Sequence, residues 1–448
     1  MKHILIALFL SLTMTSQSWS QETWVKVFGG TVDGCGYSIS PTSGGGLLIT
    51  GGSSSDDGDF KGKWKGLNDI FILELDRSGR ILWSRIIGGT DYEQGNSVRR
   101  SFDGGVIITG YTMSKDGDFT GMSTVSSDII VTNLDKDGRI LWNKTIGGSG
   151  FERGHSVSLT SDGGLLVTGF TTSSDGDFEG MNRGGMDIFV IKVDRSGDTQ
   201  WKRTFGGNDD DGGTSITSTL DGGVLVTGST LSNNYDFEDV NMGQQDIVVL
   251  NLDSKGDMVW KRTFGGIESD WGESITTTQE GHIVVVGTTS SNNGDFRGMN
   301  HGGEDVIVMN LDRNGNVVWK KTLGGTGDDY GKSVTSTIDG DLLITGYTLS
   351  SDGDFKGTSR GMSDMFIIKL DKDGEVLWKK TYGGSRPDGS HSISTSMNDG
   401  IVITGSTSSN DGVFKGMNDD LISNRIFVMK LDSNGNLKPS GKKKSKKK

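Results

Sequence analysis

Apolar and polar positions alternate along this chain in short runs, and each run stops at a cluster of Gly, Asp or Ser. Residues 142–200 show the pattern in full. WNKTI, HSVSLT, LLVTGFT and DIFVIKVD are four such runs, rich in Val, Ile, Thr and aromatics. Short runs of these residue types between turn signals predict β-strands. No window sustains the 3.6-residue apolar period, so almost no helix is expected. Asp162-Gly163-Gly164 joins the second run tightly to the third, and Asp194-Arg195-Ser196-Gly197 joins the fourth to the next tryptophan run. Glycine supplies the positive φ that hairpin turns need, and aspartate bonds its own backbone. The unit is an antiparallel four-stranded meander.

The unit recurs. Trp24, Trp83, Trp142, Trp201, Trp260, Trp319 and Trp378 stand 59 residues apart. A period of this kind marks a solenoid, propeller or array, because one meander cannot bury both of its faces alone. The chain ends decide between a ring and an open stack. A tryptophan strand (TWVKVF) opens the repeats, and Pro439 stands where an eighth tryptophan would fall. The first strand lacks a blade and the last blade lacks its outer strand, so pairing the two closes a ring and removes exposed edges. An open solenoid would want a polar capping unit, and none is visible. The expected fold is all-β: a seven-bladed β-propeller with four antiparallel strands per blade, closed by the N-terminal strand on the last blade. A β-solenoid is the alternative.

Composition sharpens this picture. Gly is 72 of 448 residues and Pro only 3, which suits many tight turns in one domain, here residues 21–437. Residues 1–20 carry Lys2, an apolar run from Ile4 to Leu12 and then small residues, the pattern of a secretory signal peptide, and imply export to the periplasm or beyond. Residues 438–448 form a lysine-rich tail, expected to be disordered and able to attract an anionic envelope surface weakly. The formal charge is −13. Lys2 and the seven lysines from Lys438 onward supply eight positive charges, leaving −21 on the body. That balance argues against nucleic acid as a partner. Cys35 is the only cysteine, so no internal disulfide can form. A monomer is expected.

The two short turns of each unit share one face of the ring, and the two long connections share the other. Long loops on a rigid scaffold are where binding residues concentrate. Positions filled alike in every copy read as architecture: the glycine pair, the serines at Ser38 through Ser392, and the phenylalanines at Phe60 through Phe414. Residues that break the repeat are the better ligand-binding candidates: Trp64, Trp271, Tyr92, Phe151, Tyr330, His301 and Arg183, all in long-face loops. Aromatics beside acids and amides suit a glycan or an extracellular protein. The DGD pairs Asp57/Asp59, Asp116/Asp118, Asp175/Asp177 and Asp352/Asp354 offer hard oxygens to calcium, or an Asx-type turn before the phenylalanine. His155, His282, His301 and His391 read as scattered over the repeat, with no spaced metal pair.

The string LDKDGEVLW at 370–378 resembles the tryptophan-docking motif of PQQ-type propeller repeats. The longer pattern W-K-[KR]-T-x-G-G…DGG…TG…S-x-DGDF is similar to secreted bacterial β-propeller repeat proteins and covers residues 22–437. The resemblance implies the propeller fold and a binding role. The vicinal cysteine pair of quinone dehydrogenases has no counterpart beside Cys35. The expected function is an exported, non-catalytic propeller holding a glycan or protein on its long-loop face. An exported carbohydrate-active enzyme using loop Asp or Glu, or a cell-envelope assembly component, is the alternative.

Overall fold

The computed structural model describes residues 22–122, 126–238, 241–396, 400–418 and 423–437. The leader and the lysine tail lie outside these residues. Seven four-stranded antiparallel sheets contain 28 strands. Blade 1 runs from its inner strand β2 (Gly34–Pro41) through β3 (Leu47–Ser53) and β4 (Asp69–Leu75) to its outer strand β5 (Ile81–Ile87). Among the described residues the helical content is seven one-turn 3-10 segments, such as Gly58–Phe60.

The ring closes as the repeat predicts. In blade 7, β26 (Asp388–Thr395), β27 (Ile401–Thr407) and β28 (Arg425–Leu431) are completed by β1 (Trp24–Phe28). β1 pairs with β28 over Trp24↔Lys430 to Phe28↔Ile426. The second and third strands of each blade carry Val, Ile, Leu and Phe buried on both faces, so their runs are nearly continuous rather than alternating.

Three repeated devices hold neighbouring blades together. The blade tryptophan reaches to the next blade: Trp201 Nε1 donates to Ser254 O at 3.2 Å, and Trp319 Nε1 to Lys372 O at 2.9 Å. The ring lies against the turn glycine, where a Cβ on Gly256 would stand 2.8 Å from Trp201. Trp83 differs and donates to Glu74 Oε2 at 2.8 Å. The phenylalanines are 0–1 % exposed and pin the long loop into the groove between blades.

The repeated serines form the third device, a closed ring. Each Oγ accepts the backbone N–H that follows the serine of the next blade, as in Val98 N to Ser38 Oγ at 3.2 Å. Ile39 N to Ser392 Oγ at 3.3 Å joins blade 7 to blade 1 and completes the circuit.

The glycine pair and the DGD loop are knitted together. In blade 1, Asp57 Oδ1 accepts Thr31 N at 2.7 Å and Asp59 Oδ2 accepts Gly29 N at 3.0 Å. Asp175 and Asp177 do the same for Ser149 and Gly147, at 2.7 and 3.1 Å. These oxygens satisfy loop amides that would otherwise lack partners. The hydrogen bonds from Thr31 hold the Asp57 carboxyl below its ordinary range, and those from Ser149 do so for Asp175.

Acids also recur at the blade junctions. The Asp that opens a third strand lies beside the acid that opens the next blade's inner strand. The pairs are Asp69 with Glu93, Asp128 with Glu152, Asp187 with Asp211, Asp246 with Asp270, Asp305 with Asp329, and Asp364 with Asp388, all 0–2 % exposed. At the seam the two positions are Arg425 and Gly34.

Candidate functional site

Every inner strand carries a β-bulge at the same place, between a glycine and the repeated serine in six blades (Gly36/Ser38 in β2, Gly331/Ser333 in β22, Asp329–Ser336) and between Ser390 and Ser392 in the seventh. A bulge adds one unpaired residue and re-aims its side chain. The bulged residues are Tyr37, Asn96, His155, Thr214, Glu273, Lys332 and His391. The flanking Gly and Ser are shared by most blades, whereas the bulged residue changes from blade to blade. The residue two positions earlier varies as widely, as Cys35, Gln94, Arg153, Gly212, Trp271, Tyr330 and Gly389, so the start of the inner strand as a whole carries the chemical variety.

These side chains touch across blades and form a layer above the serine ring. Lys332 Nζ meets Glu273 Oε1 at 2.6 Å. The Tyr37 and His391 rings lie 5.4 Å apart. Asn96 Nδ2 donates to Gly154 O at 2.8 Å, and Thr214 Oγ1 to Gly272 O at 2.6 Å. His155 Nδ1 lies 2.9 Å from Gly213 O. On the other side of the serine ring, a polar cavity of about 320 Å³ is lined by Ser40, Arg99, Ser158, Thr217, Thr276 and Thr335.

One sector of the layer, from blade 5 to blade 7, is the richest. Tyr330 stacks on Tyr347 at 4.7 Å, and its hydroxyl bonds to Glu304. Lys332 Nζ sits 5.7 Å over the Tyr330 ring. Trp271 Nε1 donates to Gln245 Oε1. Burial, with Lys332 nearby, pushes the His391 imidazole down to about 4, so it is neutral near pH 7. Burial also lowers His155 and lifts the Cys35 thiol to about 12. The sector thus presents an ion pair, a neutral imidazole and three aromatic faces at the long-loop end of the channel.

No family model matches the chain. It is 26 % identical over 186 residues to the regulatory protein FlaEY of Caulobacter vibrioides, a match covering 39 % of this chain and 20 % of that protein. The chain thus spans about a fifth of that relative's length. Among solved structures, the Pan2 WD40 domain of Neurospora crassa aligns with a TM-score of 0.46 and 12 % identity, covering 88 % of each chain. A protein of unknown function from Bacteroides caccae aligns at 0.41 and 13 %, covering 74 % of this chain and 93 % of that one. A gluconolactonase from Xanthomonas campestris aligns at 0.36 and 11 %, covering 73 % and 82 %. The fold rests on the hydrogen-bonded sheets themselves.

The sequence candidates fall into three places. Trp271 and Tyr330 lie not in loops but as second residues of the inner strands Asp270–Thr277 and Asp329–Ser336, at the channel mouth, two residues before Glu273 and Lys332, because the strand already starts at the junction acid before them. Tyr92 and Phe151 precede the inner strands of blades 2 and 3 and are 47 % and 53 % exposed on the mouth's rim. Trp64, Arg183 and His301 lie farther out, in the loops between second and third strands. Trp64 takes the place of the loop-clamping asparagine of other blades, exemplified by Asn182, whose Nδ2 donates to Thr171 O and Gly185 O at 3.1 and 3.0 Å. Arg183 and His301 share one register position, four residues before the third-strand Asp. Arg183 pairs with Asp236 at 2.6 Å, and His301 Nδ1 with Asp305 Oδ2 at 2.9 Å.

The histidines are not all scattered over the repeat. His155 and His391 occupy the same bulge position, thirteen residues after Trp142 and Trp378. Comparing the copies at that offset reveals the whole layer, including Glu273 and Lys332. Among the described residues, no group of three or more His, Cys, Asp or Glu side chains is placed to hold a metal. A separate cavity of about 350 Å³ opens on the short-turn face between blades 4 and 5, near Leu220, Asn251 and Arg313. Similar grooves open beside Trp142 and Trp319, so it belongs to the blade frame rather than to a single site.

Proposed function

We propose that this chain is a binding propeller that holds its ligand across the long-loop mouth of the central channel. The bulge layer carries this reading, because its side chains are chemically diverse and meet one another across blades at the mouth. Its surroundings favour a polypeptide ligand. Large apolar side chains stand exposed around the same face, including Leu67, Tyr92, Phe151, Tyr235, Ile267 and Met362, at 47–68 % exposure. Apolar side chains as exposed as these also stand on the short-turn face, Phe102 and Leu220 among them, so it is their place around the bulge layer that favours a polypeptide there. A glycan is the second reading, favoured by the Tyr330–Tyr347 stack beside Glu273 and Lys332. With residues 1–20 acting as a signal peptide, the protein works in the periplasm or outside the cell.

The test is binding of the full chain to separated envelope proteins and to a glycan panel. Tyr330→Ala and Lys332→Ala are each expected to weaken the bound class at least about tenfold, or about 1.4 kcal/mol. Unchanged affinity in both variants would remove the channel mouth as the site. Product release from a glycan, lost in Glu273→Gln while binding persists, would assign the carbohydrate-active enzyme reading instead.

A further inference from the structure

The six junction acid pairs lie outside the channel mouth. The pair at Asp246 and Asp270 shows their geometry. Asp246 Oδ2 accepts Met242 N at 2.8 Å, but Oδ1 is buried without a partner. Asp270 Oδ2 accepts Gly266 N at 3.0 Å and Ser291 Oγ at 2.8 Å, and its Oδ1, like that of Asp329, is also buried without a partner and free to accept. Both acids crowd one point. A Cβ on Gly265 would lie 1.9 Å from Asp246 Oδ1 and 3.0 Å from Asp270 Oδ2. The first glycine of the pair is a notch that makes room for two carboxyls. The same orphaned oxygen occurs at Asp69, Asp128, Asp187, Asp305 and Asp364.

Two buried carboxylates this close cannot both stay ionised without a counter-charge. The inner-strand acid is surrounded by donors, an amide and hydroxyls, which favour its charged form. A metal ion would need oxygen acceptors there instead. The seam offers an internal comparison. It lacks the pair, and Arg425 fills the aspartate position as a permanent cation.

We propose that each of the six junctions holds one proton between its two carboxyls, donated from the orphaned Asp oxygen to the inner-strand acid. The protons form a latch beneath the long-loop face that tightens as pH falls. Burial favours the protonated form on both sides of the junctions: it lifts the third-strand Asp128 and Asp187 to about 7 and Asp69 and Asp246 to about 6, and the inner-strand Asp211, Asp329 and Asp388 to about 6.

Other charges face the pairs. Lys65, ion-paired to Asp118 at 2.5 Å, faces Asp69. Asp177 faces Asp128, and Arg183 with Asp236 faces Asp187. Asp295 faces Asp246, and His301 and Asp354 face Asp305. Asp364 acts on Asp388 and receives the Arg360 amide.

The sign follows from linkage. A carboxyl raised on folding stabilises the fold fully below its unfolded value, and that stability is lost as pH rises through its folded value. The neutral, buried His155 and His391 oppose this, because their contribution is lost as pH falls below their unfolded value. They are two groups against six.

The experiment is thermal unfolding of the full chain from pH 8.5 to 5 in chelator-containing buffer. Tm is expected to rise by about 5 °C or more on acidification. Asp246→Asn keeps the donor without the charge, so it is expected to raise Tm at pH 8 and to flatten the pH slope. Adding Asp128→Asn and Asp187→Asn flattens it further. A Tm that stays flat or falls from pH 8 to 5, or an unchanged slope in the triple variant, overturns the proposal. So does calcium at pH 8 raising Tm as much as acid does, because the counter-charge is then a cation. If the variants fail to fold, calorimetric proton release on unfolding of the unaltered chain at pH 6.5 decides: net release supports the latch, and net uptake refutes it.

Discussion

Trp201→Ala tests the device that joins the blades. The half-buried indole packs against the cluster of Phe205, Leu250 and Leu252, lies under Gly256 of the next blade, and donates to Ser254 O at 3.2 Å. Full burial of an aromatic ring of 150–250 Å² contributes at most about 4–6 kcal/mol, so a half-buried ring contributes about 2–3. The hydrogen bond adds about 1 kcal/mol. Removal is therefore expected to cost about 3 kcal/mol, within the range for large-to-small core changes. Trp201→Phe, which keeps most of the ring, should cost about 1–2 kcal/mol. Trp64→Ala, lacking the docking geometry, should cost about 0.5 kcal/mol or less. The assay is urea unfolding followed by far-ultraviolet circular dichroism at a fixed pH. A cost below about 1 kcal/mol for Trp201→Ala, or equal costs for Trp201→Ala and Trp64→Ala, would refute docking as the joint between blades.

Three further outcomes follow from the frame. Ser274→Ala leaves Val334 N without its 3.2 Å acceptor and should cost about 1–2 kcal/mol in the same assay. Val27→Pro breaks the β1 ladder at its pairing with Phe427 and should cost about 3 kcal/mol, with the earliest hydrogen exchange in β1 and β28. Heating with and without a calcium chelator at pH 7 should give the same Tm, because the DGD oxygens are held by loop amides.

The frame was readable from the sequence because it is written seven times. Strand order, the face of the short turns and the closing strand all follow from one unit and its period. The roles of the glycine pair were not readable. Gly265 makes room for two acids on one side, and Gly266 faces Asn293 on the other, a contact between residues far apart in the chain. The channel layer was half visible. Trp271 and Tyr330 stand out as aromatics among turns, whereas Glu273 and Lys332 look like ordinary surface charges in a chain where 23 % of residues are charged. Only the bulge shows that they face one another. The junction acids were hidden for the opposite reason. A repeated Asp before an apolar strand reads as a strand boundary, and its burial appears only when the next blade is laid beside it.

The most direct test of the central claim places a photo-crosslinking residue at Tyr330, in the channel mouth, or at Phe102, which is 70 % exposed on the short-turn face, in cells producing the full chain. A defined adduct is expected from position 330 that is lost when Lys332→Ala is added, and none from position 102. An adduct from position 102 with none from position 330 would contradict it.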